Sequence, residues 1–218
     1  FNHRLVSLLY RARKKYRPAL DPRSPEAGRV AAVLHAFLGL ATPQLLGRMQ
    51  LPDRALLPYT GLIVDRNRST VGLVRLLEDY FEVQAAVVPF RGRWYAIEED
   101  DLTRIGESGR NQRLGREAVL ARRVWDEEAE IEVQLGPLTF DQFLAFLPLG
   151  RSHHALVSVV RFYLREELGV AFRLQIVAGE VPALRIGKAE AAFLGWTSWL
   201  RTKPFVANDE QVRFRGRA

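Results

Sequence analysis

An internal repeat constrains this 218-residue chain more than any other feature. Arg68-Ser69 opens a segment in which Leu73, Leu76, Leu77, Tyr80 and Phe81 fall on one stripe at helical spacing. Arg151-Ser152 opens a second, with Leu156, Val159, Val160, Tyr163 and Leu164, each 83 residues after its counterpart. Any amphipathic helix shows such spacing, so the weight rests on the shared Arg-Ser start and the shared Tyr.

The flanks repeat too. A short apolar helix is expected before each stripe, at 54–64 and 139–147, the latter with Thr139 and Gln142 in capping-box positions. Strand-like residues follow at 83–90 and 170–178, and a second strand at 94–97 or 184–186. Arg104-Ile105-Gly106 then matches Arg185-Ile186-Gly187, and Leu114-Gly115 matches Leu194-Gly195, at nearly the same offset. Between the copies Ile131, Val133 and Leu135 alternate with Glu130, Glu132 and Gln134, which reads as an amphipathic strand ended by Gly136-Pro137. Two copies are too few for a solenoid.

Ahead of the repeat, residues 1–17 read as a helix with Leu5, Leu8, Leu9, Ala12 and Tyr16 on one face. Residues 18–25 read as a loop. Val30, Val33, Leu34, Phe37 and Leu38 have the spacing of a buried helical stripe, and Thr42-Pro43 opens a short helix. The expected fold class is α+β: a helical region (1–52), then two similar helix-helix-strand-strand lobes (53–136 and 137–218). Such a layout suits a protein that presents two similar surfaces to two copies of a partner.

Composition narrows the functions. With 48% hydrophobic and 26% charged residues, wholesale disorder is excluded, and no apolar run reaches the roughly 18 residues of a membrane-spanning helix. There is no cysteine, hence no thiolate chemistry. The net charge of +7 raises a nucleic-acid reading. However, Arg4, Arg11, Arg13, Lys14, Lys15 and Arg17 supply six of those charges, so that reading reduces to a basic module built on the first helix.

No catalytic constellation is visible. The stretch 106–115 lacks the endings of a P-loop or a dinucleotide fingerprint and reads as an exposed interaction loop. The four histidines, His3, His35, His153 and His154, have no metal-binding spacing. No G-x-S-x-G is present. Trp94 reads as core and Trp125 as the edge of a core. In 194–200, Trp196 and Trp199 can share a helical face, either docked on their own lobe or anchoring a partner.

Short motifs then accumulate in a specific order: Phe1-Asn2-His3-Arg4, Tyr10-Arg11-Ala12 and Lys15-Tyr16-Arg17; Tyr59 with Gly61-Leu62; Arg68-Ser69 with Gly72-Leu73; Leu76-Leu77 with Tyr80-Phe81; Phe90 with Gly92-Arg93-Trp94; Leu114-Gly115; Val124-Trp125; Leu135-Gly136-Pro137-Leu138; Phe146-Leu147-Pro148; and Leu194-Gly195-Trp196-Thr197-Ser198-Trp199-Leu200. Together these resemble the type VI secretion baseplate family TssG, also called ImpH or VasB. The family tends to have a Gly where this chain has Ala121-Arg122. In the family the Phe-Asn-His-Arg stretch lies inside the chain, so the resemblance implies that an N-terminal portion is missing here.

The resemblance implies a non-enzymatic scaffold without cofactors. It would sit in a cytoplasmic baseplate at the inner face of the inner membrane of a Gram-negative bacterium. Its implied partners are two TssF-like subunits, a TssE-like subunit and TssK-like trimers held by two loops. Carried onto this chain, the loops fall at 98–115 and 187–195. The candidate partner-binding residues are Ile105, Gly106, Leu114, Gly115, Ile186, Gly187, Phe193, Leu194, Gly195, Trp196 and Trp199.

Overall fold

In chain order, α1 (Asn2–Lys15) and α2 (Arg29–Phe37) lead through 3-10 turns at Pro43–Leu45 and Asp53–Tyr59 into the short α3 (Thr60–Val64). Then come α4 (Thr70–Phe81), β1 (Ala85–Val88), β2 (Arg93–Ala96), β3 (Arg123–Asp126), β4 (Glu130–Leu138), α5 (Phe140–Phe146), α6 (His153–Leu164), β5 (Gly169–Ile176) and β6 (Asp209–Arg215). This is a computed structural model, which describes residues 1–17, 28–165, 168–184 and 193–216. The class is α+β.

Local chemistry sets the helix ends. The Ser69 side chain accepts from the Gly72 N–H at 3.0 Å and caps α4. Thr139 and Gln142 form the expected reciprocal capping box on α5. The two long helices of the repeat have 12 residues each and stop at left-handed residues, Glu82 (φ 54°) and Arg165 (φ 57°), again 83 positions apart.

Four strands form one sheet in the order β1-β4-β5-β6. β1 pairs antiparallel with β4, β4 parallel with β5, and β5 antiparallel with β6. The sheet is therefore two antiparallel strand pairs joined by a parallel seam, and the strand expected at 94–97 lies outside it, paired with β3. Of the strand expected at 184–186, Leu184 lies in no strand and 185–186 fall outside the described residues; the strand that returns along β5 is β6, which was not expected from the sequence. Its burial explains why: only Asp209 and Val212 are buried, so an apolar alternation never develops.

One core serves both long helices. Leu73, Leu76 and Leu77 of α4, Leu156, Val159, Val160 and Tyr163 of α6, and Val170, Phe172, Leu174 and Ile176 of β5 belong to the same buried cluster. Each such side chain contributes about 1.5–3 kcal/mol by leaving water. Across the middle, the Tyr163 hydroxyl donates to the Ser69 carbonyl at 2.9 Å. Gly72 makes room for it, since a Cβ there would lie 2.4 Å from that oxygen.

The face expected to be polar on β4 is not open to water. Glu130 and Glu132 are buried and paired: Glu130 with Arg215 at 2.8 Å, and Glu132 with Arg91 at 3.2 Å and Arg173 at 3.8 Å. A second correction concerns α2. Val30, Val33 and Phe37 are exposed; within the helix Ala31 is the one buried residue, and Leu38 and Leu40 just beyond it are buried. The helix turns its other side to the neighbouring turn and α3; periodicity shows that a face needs cover, not which molecule supplies it. The apolar stripe of α1 is likewise exposed. Among the described residues no helix is long and apolar enough to cross a membrane.

His153 opens α6 and is buried. Its Nδ1–H donates to the Phe146 carbonyl at 3.3 Å, and its ring lies 5.3 Å from Phe214. Burial holds its pKa below the ordinary 6.5, so the unfolded chain binds the proton more readily. Stability is therefore full above the unfolded pKa and falls as pH drops below about 6.5 towards the folded value. Urea unfolding between pH 8 and 5 should show this decline, and His153→Gln should flatten that part of the profile.

Candidate partner-binding site

The first candidate loop belongs to an arm that leaves the sheet after β1 and returns to it at β4. Its stalk is the β2–β3 ribbon, a two-stranded sheet that pairs with no other strand among the described residues. Beyond the stalk the chain is stitched rather than loose. Arg104 and Arg110 pair as a single bridge through backbone bonds of 3.0 and 3.1 Å. The Gln112 amide donates to the carbonyls of Arg104 at 2.8 Å and Gly106 at 3.0 Å. Asp100 pairs with Arg110 at 2.9 Å, and the Val119 N–H donates to Thr103 Oγ1 at 2.8 Å. Gly109 is required, because a Cβ there would overlap the Gln112 amide. This frame turns Ile105 outward, 89% exposed, beside Gly106.

Leu114-Gly115 forms a tight turn. The Arg113 carbonyl accepts from the N–H groups of Arg116 at 3.2 Å and Glu117 at 3.3 Å, with Gly115 at φ 76°. Positive φ at the third position is the type II requirement that glycine meets without strain. Leu114 projects from it, 88% exposed.

The second candidate loop belongs to the connection from β5 to β6. Ile186 and Gly187 lie outside the described residues. The part from Phe193 onward repeats the same turn: the Phe193 carbonyl accepts from Trp196 at 3.0 Å and Thr197 at 2.9 Å, with Gly195 at φ 80° and Leu194 92% exposed. The left-handed glycine prevents the helix considered for 194–200. Phe193 is exposed, and Trp196 is half-buried with its ring 6.2 Å from Phe193. Trp199 is 8% exposed, packs 5.6 Å from Phe143 and donates through Nε1 to Asp209 at 2.8 Å. It roots the turn in the core.

The two connections leave opposite ends of the sheet. The first departs where β4 begins and the second where β5 ends, and β4 and β5 run in the same direction. At about 3.3 Å per residue, β4 separates their roots by roughly 25 Å.

Elsewhere, a cleft of about 430 Å³ is lined by Glu78, Gln134, Arg173, Gln175 and Glu210 among others. Arg173 is committed to Glu132 and, at 2.6 Å, to Glu210, while Glu78 accepts from the Ala85 N–H. Trp94, read as core, is 58% exposed on the stalk opposite Trp125, because among the described residues no layer of the fold covers that ribbon. Gln112 carried no sequence signal; its role comes from folding back on its own loop.

The sequence model of the type VI secretion TssG family matches residues 1–201. The chain belongs to that family. It is similar in fold to a chain of the cryo-electron microscopy structure of the type VI secretion system TssK-TssF-TssG baseplate subcomplex. The TssG-family chain shares 21% identity with it at a TM-score of 0.77, over 99% of this chain and 91% of that one. A second similar structure is the baseplate complex from the type VI secretion system, at 23% identity and a TM-score of 0.65, over 99% of this chain and 61% of that one. No curated protein matches in sequence.

Gln112→Ala should loosen the first tip alone. Amide exchange at Gly109 and Arg110 is expected to quicken severalfold, while the global unfolding free energy moves by less than about 0.5 kcal/mol, as for other exposed sites.

Proposed function

We propose that this TssG-family chain is a structural baseplate subunit whose two arms each hold one TssK-like trimer, while its helical region packs on a pair of TssF-like subunits beside a TssE-like one. The observation that carries the reading is the matched pair of Leu-Gly turns. Each offers a leucine about nine-tenths exposed, and they stand on connections rooted at opposite ends of one sheet. An apolar tip of this kind gains about 25 cal/mol per Å² when a partner covers it, and the charges around it mainly tune specificity and on-rate. Two well-separated copies of one tip suit two copies of one partner. The baseplate setting rests on the family and on the two similar structures, one of a TssK-TssF-TssG baseplate subcomplex and one of a baseplate complex.

The bare stripes of α1 and α2 are the surfaces assigned to TssF-like subunits. They also favour a protein partner over nucleic acid for α1, since Leu5, Leu8 and Leu9 lie exposed beside the basic residues and phosphates would leave them uncovered. In this reading the subunit acts by geometry, in a cytoplasmic assembly at the inner membrane, and performs no reaction.

Replacing 98–115 or 187–195 with Gly-Ser linkers is expected to remove one TssK-like trimer per assembly, and replacing both to remove all, with TssF-like subunits retained. Native mass spectrometry of the co-expressed complex reads this directly; full TssK-like stoichiometry in the double replacement would sink the arm assignment. Changing Arg11, Lys14 and Lys15 to Gln separates the nucleic-acid reading, which alone expects duplex DNA binding that declines steeply with salt and disappears in the variant.

A further inference from the structure

The first arm poses a mechanical problem. A two-stranded ribbon is marginally stable in water, and here all of β3 and most of β2 are exposed. The ribbon nevertheless continues the ladder of β1 and β4. Arg91 N–H donates to the Glu130 carbonyl at 2.8 Å, Gly92 N–H to Glu127 at 3.2 Å and Ile97 N–H to Arg122 at 3.1 Å. The line bends where Phe90 (φ 56°) and Gly92 (φ 48°) leave the extended region.

Three contacts converge on that bend. The Trp125 indole lies against Gly92 so closely that a Cβ would sit 2.0 Å from it. Trp94 faces Trp125 across the ribbon with ring centroids 5.4 Å apart, tilted by 60°. Arg91 reaches back to the buried Glu132 of β4 at 3.2 Å. Counting from the hydrogen-bonded Ile97–Arg122 pair, Trp94 and Trp125 occupy a non-hydrogen-bonded site, where opposing side chains come nearest.

Resting on the attachment reading above, we propose that Gly92, Trp94 and Trp125 form an elbow that sets the direction of the first arm, and are positioning residues for partner capture by Ile105 and Leu114. The rings act through the arm. With the elbow intact, the tip is held in one direction before the partner arrives, and little ordering entropy is lost on docking. Without it, the stalk swings about Phe90 and Gly92.

The chain has no cysteine, so a cross-strand disulfide can substitute for the ring pair. Non-hydrogen-bonded partners, about 4.5 Å apart at Cα, lie within disulfide reach. Full-length protein carrying W94A/W125A is compared with W94C/W125C, reduced and oxidised, and with Ile105→Asp. Amide exchange of the arm is read in the free protein and affinity is read with purified TssK-like trimer.

W94A/W125A is expected to speed exchange at Tyr95 and Ile97 and to weaken affinity roughly tenfold, the scale of one aromatic pair. Oxidised W94C/W125C should recover both properties and the reduced form neither. Wild-type exchange in W94A/W125A overturns the elbow. Oxidation that restores protection but not affinity also overturns it, by making the indoles contact residues. Full binding by Ile105→Asp overturns the attachment reading and the positioning role with it. Loss of binding by Ile105→Asp alongside unaltered binding by W94A/W125A overturns the elbow alone.

Discussion

Glu132 is a carboxylate with almost no access to water in the middle of the central strand. A buried charge of this kind is tolerated only with close partners, and removing one partner costs about 3–5 kcal/mol. Its partners are Arg91, at the root of the first arm, and Arg173 on β5, with the Gln134 amide donating at 2.7 Å. Arg173 extends the set to Glu210 on β6, and Arg215 of the same strand reaches Glu130. One ionic network therefore spans β4, β5, β6 and the arm. It fixes the face of the sheet opposite the leucine-rich core and leaves the arm root no freedom to drift from the seam.

The core on the other face carries the same logic with apolar groups. The α4–β1 and α6–β5 segments flank β4 and share a single buried cluster. The Tyr163–Ser69 bond is made by the tyrosine of one copy on the Arg-Ser corner of the other. This gives a physical use to the two features that made the repeat visible, since corner and tyrosine meet each other in space.

The legible parts of the sequence were those where one side of an element meets the core. The stripes of α4 and α6 and the Thr139–Gln142 box reappear where periodicity and capping placed them, and so does the strand around Ile131–Leu135, although it runs on through Gly136-Pro137 to Leu138 instead of ending there. Sequence could not show that the glutamates of β4 were covered, because ion pairing depends on strands brought together only by topology. Nor could it show that Val30, Val33, Phe37 and Trp94 face outward, since an apolar residue looks the same whether its cover is intramolecular or not. β3 and β6 were missed for a related reason: β3 buries nothing and β6 little. For the candidate site, the exposed leucines and their glycines were readable, whereas the stitching by Gln112 and the packing of Trp199 required coordinates.

The parallel seam between β4 and β5 has a further consequence. One connection is rooted at the start of β4 and the other at the end of β5. Tension applied between them would drag the two strands past one another along their length. That geometry shears the whole row of inter-strand bonds at once, where a pull from a single end would unzip them one by one. Load along that line is shared by the whole parallel seam.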